Sequence, residues 1–195
     1  MPFNAAIEQL LPKLGLPHTY LTVPAEQMSH YAQGYDKDDK PVRLSGGTLD
    51  SEAYGIKTTT RDMARYVALN MRAEGLEKEL QQAIATTHTG FYTVHKNTTQ
   101  GLGWESYAYP VKLDVLVDGN STPMAMDPHP VKWLNPPQPE TANRLYNKTG
   151  ATRGFGAYVA YVPGKNIGVV VLANKNYPNA DRVKIAHAIL SAIDH

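Results

Sequence analysis

The chain has 195 residues, 42% hydrophobic and 19% charged, with a formal net charge of +1 and no cysteine. That length holds one domain with a real core or part of a larger fold, and the near-neutral balance gives no reason to expect nucleic acid or an acidic membrane surface as partner. Without cysteine there is neither a disulfide framework nor a thiol nucleophile, and no apolar run approaches the roughly 20 residues of a membrane span.

Residues 3–14 read as a helix closed by Gly15. The opening stretch MPFNAAIEQLLPKLG lacks the basic start and long apolar run of a secretory signal. Residues 16–57 are mostly loop, with GYDKDDKPVRLSGG supplying turn residues; a loop this long is expected to be functional or to pack as an ordered surface loop. TTTRDMARYVALNM predicts a helix with a threonine cap and with Met63, Tyr66, Val67 and Met71 on one face. LEKELQQAIATT predicts a second helix after Gly75.

From Gly90 the period shifts to strands, GFYTVHK (90–96) and GLGWESYAY (101–109). Residues 111–118 read as a short helix and 120–140 as a Pro-rich connection. Strands follow at 142–148, 155–162 and 166–173, then a helix at 179–193. The strands GAYVAYV and IGVVVLA are apolar on both faces, which predicts a sheet covered on both sides, with PGKN as the turn between them. The last helix is expected to use Asn179 as cap and to bury Val183, Ala186, Ile189, Leu190 and Ile193. The pattern predicts an α/β chain of the α+β type. An antiparallel sheet of 142–148, 155–162, 166–173 and the strands within 90–108 carries helix 179–193 on one face, and the helices of 3–14 and 59–87 form a region beside a cleft. No internal repeat is present.

Polar residues able to converge on a ligand concentrate between 146 and 182. Lys148 at a strand end offers a fixed cation, Thr149 a hydroxyl, and Gly150 and Ala151 a backbone that a ligand can approach closely. Asn174, Lys175, Asn176, Asn179 and Arg182 follow a later strand into the last helix, where donors near a helix N-terminus suit a carboxylate. Each has an ordinary reading too. Lys148 is equally a hairpin lysine, Asn179 a cap, Arg182 a solvated first-turn side chain and Tyr54 a loop packing residue. Seven histidines show no metal-ligand spacing, so no metal is expected. Composition and spacing alone stop at a mixed α/β domain with an anion site.

YNKTGATRGFGAYVAYVPGKNIGVVVLANKNYPNADRVKIAHAIL closely resembles the C-terminal segment of class C serine β-lactamases, the chromosomal cephalosporinases. K-T-G is a motif of β-lactamases and penicillin-binding proteins, and its meaning comes from that family rather than from its spacing. DSEAYGIKTTTRDMARYV and TQGLGWESYAYP are similar to further family segments in the same order, and HYAQGYDKDDKPVR looks like the Ω-loop region. The family's S-x-x-K nucleophile motif does not occur in these 195 residues. The single Y-x-N, Tyr177-Pro178-Asn179, falls on the wrong side of K-T-G and reads as coincidence.

The resemblance therefore implies the C-terminal half of one catalytic domain, with 1–88 mainly helical and Ω-loop and 89–195 sheet and final helix. It implies hydrolysis of cephalosporins and penicillins through an acyl-enzyme, no cofactor, a small-molecule β-lactam as partner with neither nucleic acid nor membrane, a monomer when complete, and a periplasmic setting. By the same resemblance, Ala151 supplies one oxyanion-hole N–H and Lys148 lowers the proton affinity of the absent tyrosine. Thr149, Gly150, Asn176, Asn179 and Arg182 surround the substrate carboxylate, and Tyr54 lines the acyl side-chain pocket. A D-Ala-D-Ala peptidase or esterase of the same fold, or a non-catalytic fragment, are the alternatives.

Overall fold

In the computed structural model, which describes residues 1–44, 46–94 and 98–194, the first part of the chain is largely helical. It contains α1 (Phe3–Lys13), a 3-10 turn (Ala25–His30), the hairpin β1–β2 (Gly34–Tyr35 and Pro41–Val42), α2 (Asp50–Ala53), α3 (Thr60–Met71) and α4 (Lys78–His88). There follow β3 (Gly90–Val94), β4 (Thr98–Gln100), β5 (Glu105–Ala108), α5 (Leu113–Gly119), α6 (Thr122–Met126) and β6 (Val131–Gln138). The chain closes with β7 (Arg144–Ala151), β8 (Gly156–Val162), β9 (Ile167–Ala173) and α7 (Asn179–Ile193). Strands β3 to β9 form one sheet in the order β6-β3-β4-β5-β7-β8-β9, antiparallel at every pairing. This is the α+β architecture with an antiparallel sheet that the strand pattern predicts.

Local chemistry explains the helix limits. The Thr59 hydroxyl accepts the Asp62 N–H at 3.1 Å and caps α3. The Asp62 carboxylate, itself buried, accepts the His18 N–H and the Thr19 hydroxyl, each at 2.8 Å, so the cap also anchors the segment after α1. Gly15 closes α1 at φ +67°, where a side chain would be strained and would meet the Arg65 guanidinium.

β8 is the centre of the molecule. On one face Tyr158, Ala160 and Val162 pack with Tyr107, Leu116, Leu145 and the α7 residues Val183, Ala186 and Leu190. On the other face Val159 and Tyr161 pack with Tyr146, Trp104 and Val67 of α3. Fully burying one such side chain contributes about 1.5–3 kcal/mol, so a strand buried on both faces is the largest single source of stability per residue here. Among the described residues no helix is long and apolar enough to cross a membrane.

Several expectations need correction. The connection expected over 120–140 contains α6 and the eight-residue strand β6. Pro136 and Pro137 hid that strand; β6 is an edge strand paired only with β3, a position where missing N–H groups cost no ladder bond. The strand expected at 101–109 is restricted to β5, and β4 was not foreseen. The strand expected over 90–96 is seen as Gly90–Val94, residues 95 and 96 lying outside the described residues. Asn179 is the first residue of α7 rather than its cap; its side-chain Nδ2 donates to the Asn120 carbonyl at 2.6 Å and ties α7 to the end of α5. Ile189 and Ile193 point outward with Ile185, because the inward line of α7 is taken by Arg182, Val183, Ala186 and Leu190.

His88 gives a pH test. Its side chain is fully buried between Trp104 and Tyr146, Nδ1 lies 2.9 Å from the Ile84 carbonyl and Nε2 lies 2.5 Å from the Tyr161 hydroxyl. Burial pushes its pKa down from 6.5 to about 4, the Ile84 carbonyl opposing weakly. The folded state thus binds fewer protons than the unfolded chain between those values. Stability is full above pH 6.5 and is lost as pH falls toward 4, by about 3 kcal/mol in all. Urea denaturation at pH 7, 6, 5 and 4 should show this slope in the wild type and lose it in His88→Gln; parallel pH profiles for the two proteins would refute it.

Candidate active site

The strand β7 ends in the K-T-G triplet, and its two edges are treated differently. Along one edge Tyr146 to Ala151 pair with Tyr161 to Gly156 of β8. Along the other, β5 stops at Glu105 opposite Asn147. Among the described residues, Lys148 to Ala151 therefore have no strand partner on that side. Gly150 and Ala151 at the end of this edge, with Gly156 and Ala157 of β8 and Leu172 and Ala173 of β9, line a cavity of about 860 Å³ whose far wall comes from the 16–59 segment.

Of the residues singled out by sequence, the structure brings Tyr54, Gly150, Ala151 and Asn174 together on this cavity; Lys148, Thr149, Asn176, Asn179 and Arg182 are not among its lining residues. Tyr54 sits just after α2 and is partly exposed. Lys148 and Thr149 lie opposite Val159 and Tyr158, which belong to the two different core clusters, so the pleat aims their side chains at opposite faces of the sheet. The Lys148 side chain is 46% exposed and its ammonium lies 3.3 Å from Glu105 Oε1. Glu105 carried no signal in the sequence, since 43 residues separate it from its partner.

Asn176 is placed by its backbone, donating to the Tyr35 carbonyl at 3.3 Å next to the single bridge between Tyr35 and Lys175. Asn179, as described, is engaged by Asn120 through Nδ2, while its Oδ1 is buried with no protein partner. Arg182 is 2% exposed and is not a lining residue of the cavity. Its guanidinium lies behind the β7–β8 hairpin, where Nη1 donates to the carbonyls of Gly150 at 2.6 Å and Ala157 at 2.9 Å, and Nη2 to that of Tyr177 at 3.4 Å. Burial lowers its pKa and the Tyr177 ring, 5.6 Å from the guanidinium carbon, lies alongside. In this position Arg182 braces the strand that carries K-T-G. Its place in the first turn of a helix looked solvated in sequence because both Nη1 acceptors, on Gly150 and Ala157, are supplied by tertiary structure.

Opposite the open edge, Tyr31 stacks on Phe155 at 6.3 Å and Arg43 sits 4.6 Å over the Tyr31 ring. The Asp36 carboxylate accepts the N–H groups of Asp38 and Lys40 at 3.0 Å and pairs with Arg153 at 3.1 Å, fixing the β1–β2 hairpin to the β7–β8 turn. The Lys40 N–H leads in holding that carboxyl below its ordinary range. A rigid open strand edge, backbone donors and an aromatic-walled cavity can bind a planar acyl compound and polarise its carbonyl. Among the described residues no group of three or more His, Cys, Asp or Glu side chains could hold a metal ion.

The family pattern described as Beta-lactamase matches residues 1–194. A β-lactamase of Pseudomonas fluorescens is 67% identical over 194 residues, covering 99% of this chain and 54% of that protein. A β-lactamase of Escherichia coli (strain K12) is 42% identical over 195 residues, covering 99% of this chain and 51% of its own length. Among solved structures, a β-lactamase/D-alanine carboxypeptidase from Pseudomonas syringae superposes with a TM-score of 0.96 at 43% identity, covering 100% of this chain and 55% of that one. A class C β-lactamase in complex with cefoxitin does so at 0.93 and 48%, covering 99% and 54%. The chain spans about half the length of the curated relatives it matches.

The brace can be tested directly. Arg182→Ala removes three charge-assisted hydrogen bonds to backbone carbonyls and leaves a cavity where a buried side chain stood, and should lower stability by about 2–4 kcal/mol in urea denaturation. Arg182→Lys should recover only part, since one ammonium cannot span the same carbonyls. An unchanged midpoint for Arg182→Ala would return this residue to the ligand role expected from sequence.

Proposed function

The chain belongs to the β-lactamase family, and from that premise we propose that it forms the K-T-G half of a class C serine β-lactamase acting on cephalosporins and penicillins. The observation carrying this reading is the edge of β7 left without β5 after Asn147, whose Gly150 and Ala151 line the cavity that Tyr54 also lines. The serine nucleophile and the tyrosine that assists proton transfer are supplied by sequence outside these 195 residues, as the half-length coverage of the relatives supports.

The residues then act as follows. The serine attacks the lactam carbonyl carbon, the carbonyl π electrons move to oxygen, and the Ala151 N–H with the serine's own N–H holds that oxyanion. The serine's proton passes to the tyrosine oxygen; collapse breaks the C–N bond and that proton goes to the ring nitrogen, after which water attacks the acyl carbon, the C–O bond to the serine breaks, and a water proton returns to the serine oxygen. Lys148 keeps the tyrosine's proton affinity low and lies near the substrate carboxylate, while Glu105 holds its ammonium from behind. Thr149, Gly150, Asn176 and Asn179 shape the carboxylate end, with Arg182 contributing through the position of Gly150. Tyr54 contacts the acyl side chain. The setting is periplasmic, the complete enzyme a monomer, and residues 1–195 part of one catalytic domain. A D-alanine carboxypeptidase is the second reading, supported by the double description of the Pseudomonas syringae structure.

Two outcomes test this. The 195-residue chain alone should not turn over nitrocefin, whereas fusion to the preceding part of the Pseudomonas fluorescens relative should restore turnover; saturable hydrolysis by the isolated chain above a dead control would disprove the division of labour. In the restored enzyme, Lys148→Ala should cost on the order of 2–4 kcal/mol, or roughly 30- to 1,000-fold in kcat/KM, through a lower kcat and a higher KM. Lys148→Arg should rescue partly. Kinetics of Lys148→Ala near those of the parent would leave Lys148 as an ordinary surface lysine.

A further inference from the structure

The cavity beside β7 has a charge character that its aromatic lining alone does not explain. Tyr20, Tyr31, Tyr54 and Phe155 supply flat walls. Among the described residues that line it there is no Asp or Glu, and Lys57 is the one Lys or Arg among them. Lys57 is partly buried and lies in the segment between α2 and α3. Its ammonium donates one of its three N–H groups to the Leu21 carbonyl at 2.8 Å, which fixes its position and leaves two donors. The backbone beneath it is fixed as well, Lys57 and Tyr20 exchanging N–H and carbonyl at 2.8 Å in both directions.

The acids nearby are turned to other tasks. Asp50 acts on Lys57 at a distance, but its carboxylate accepts the Ser51 N–H at 2.7 Å and does not line the cavity. Asp62 is consumed by His18 and Thr19. Arg43, over the Tyr31 ring, adds a second positive charge behind the aromatic wall. Desolvation lowers the proton affinity of Lys57, the same partial burial that strengthens its field inside the cavity.

We propose that Lys57 is a charge-selecting residue of the acyl side-chain pocket, favouring aryl-acyl substrates that carry a carboxylate on the side chain over those that carry an ammonium group. This rests on the hydrolase reading for its meaning, but not for its measurement. The aromatic residues stack on the aryl ring, and the two free Lys57 donors meet the side-chain carboxylate in a partly desolvated site. A cationic side chain finds no acid among the described lining residues and faces Lys57 instead.

The test titrates the restored full-length enzyme with three probes at neutral pH, followed by ¹H–¹⁵N spectra: the monoamide of phenylmalonic acid, phenylacetamide, and the amide of α-trimethylammonio-phenylacetic acid. The anion should bind roughly tenfold tighter than the neutral amide, with the cation weakest. Lys57→Gln should bring anion and neutral probe within about twofold while leaving the neutral amide unchanged, and Lys57→Arg should keep the order. Equal affinities in the wild type, an unaltered ratio in Lys57→Gln, or no saturable binding of any probe overturns the proposal. Nitrocefin turnover by the restored enzyme is read separately. Its failure defeats the hydrolase reading whatever the probe order, while turnover with a flat probe order defeats only the role of Lys57.

Discussion

A Cβ added to Gly156 would come within 2.9 Å of Arg182 Nη1, and that close approach is what lets one guanidinium reach both Gly150 on β7 and Ala157 on β8. The two strands are thereby held from behind at the point where β5 no longer supports them from the side. An edge without a strand partner ordinarily moves, because nothing holds its free N–H and carbonyl groups in place. A charged, many-donor side chain beneath the strand ties it down without covering that edge. The cost is one buried donor, Arg182 Nε, with no protein acceptor.

The same logic runs outward through β8. Because this strand is packed on both faces, α3 and α7 are held at fixed positions on either side of it. α3 in turn carries Asp62, which holds the chain after α1, and the segment before α3 carries Lys57 and Tyr54. The cavity wall is therefore not an independent loop. It is suspended from the helix that the far side of the sheet positions, so the two walls share one core.

The sequence made some of this legible and hid the rest for definite reasons. β7, β8, β9 and α7 were readable because apolar runs are separated by Gly, Pro and Asn at the turns, and the helix limits agree to the residue. β6 was unreadable because Asn135-Pro136-Pro137 looks like a connection, and only its place at the sheet edge makes a strand there tolerable. In the site, Lys148, Gly150 and Ala151 stood out as a motif whose meaning came from family resemblance. Glu105 and the acceptors of Arg182 could not, since their partners are brought together only by sheet register. Lys57 and Tyr31 sit in a segment without periodicity, where no face exists until the chain is folded against β7–β8.

The two tryptophans occupy opposite environments. Trp104 is 7% exposed, parallel to the His88 ring at 6.2 Å and edge-on to Tyr161 at 5.0 Å, while Trp133 on the outer strand β6 is 67% exposed. The molecule thus carries two optical reporters with separable signals. Trp133 emits at long wavelength and is open to collisional quenchers, whereas Trp104 contributes the rigid near-ultraviolet dichroism and an emission that contact with an imidazolium would dim. Loosening at the sheet edge and melting of the central core would therefore register in different channels of one unlabelled sample.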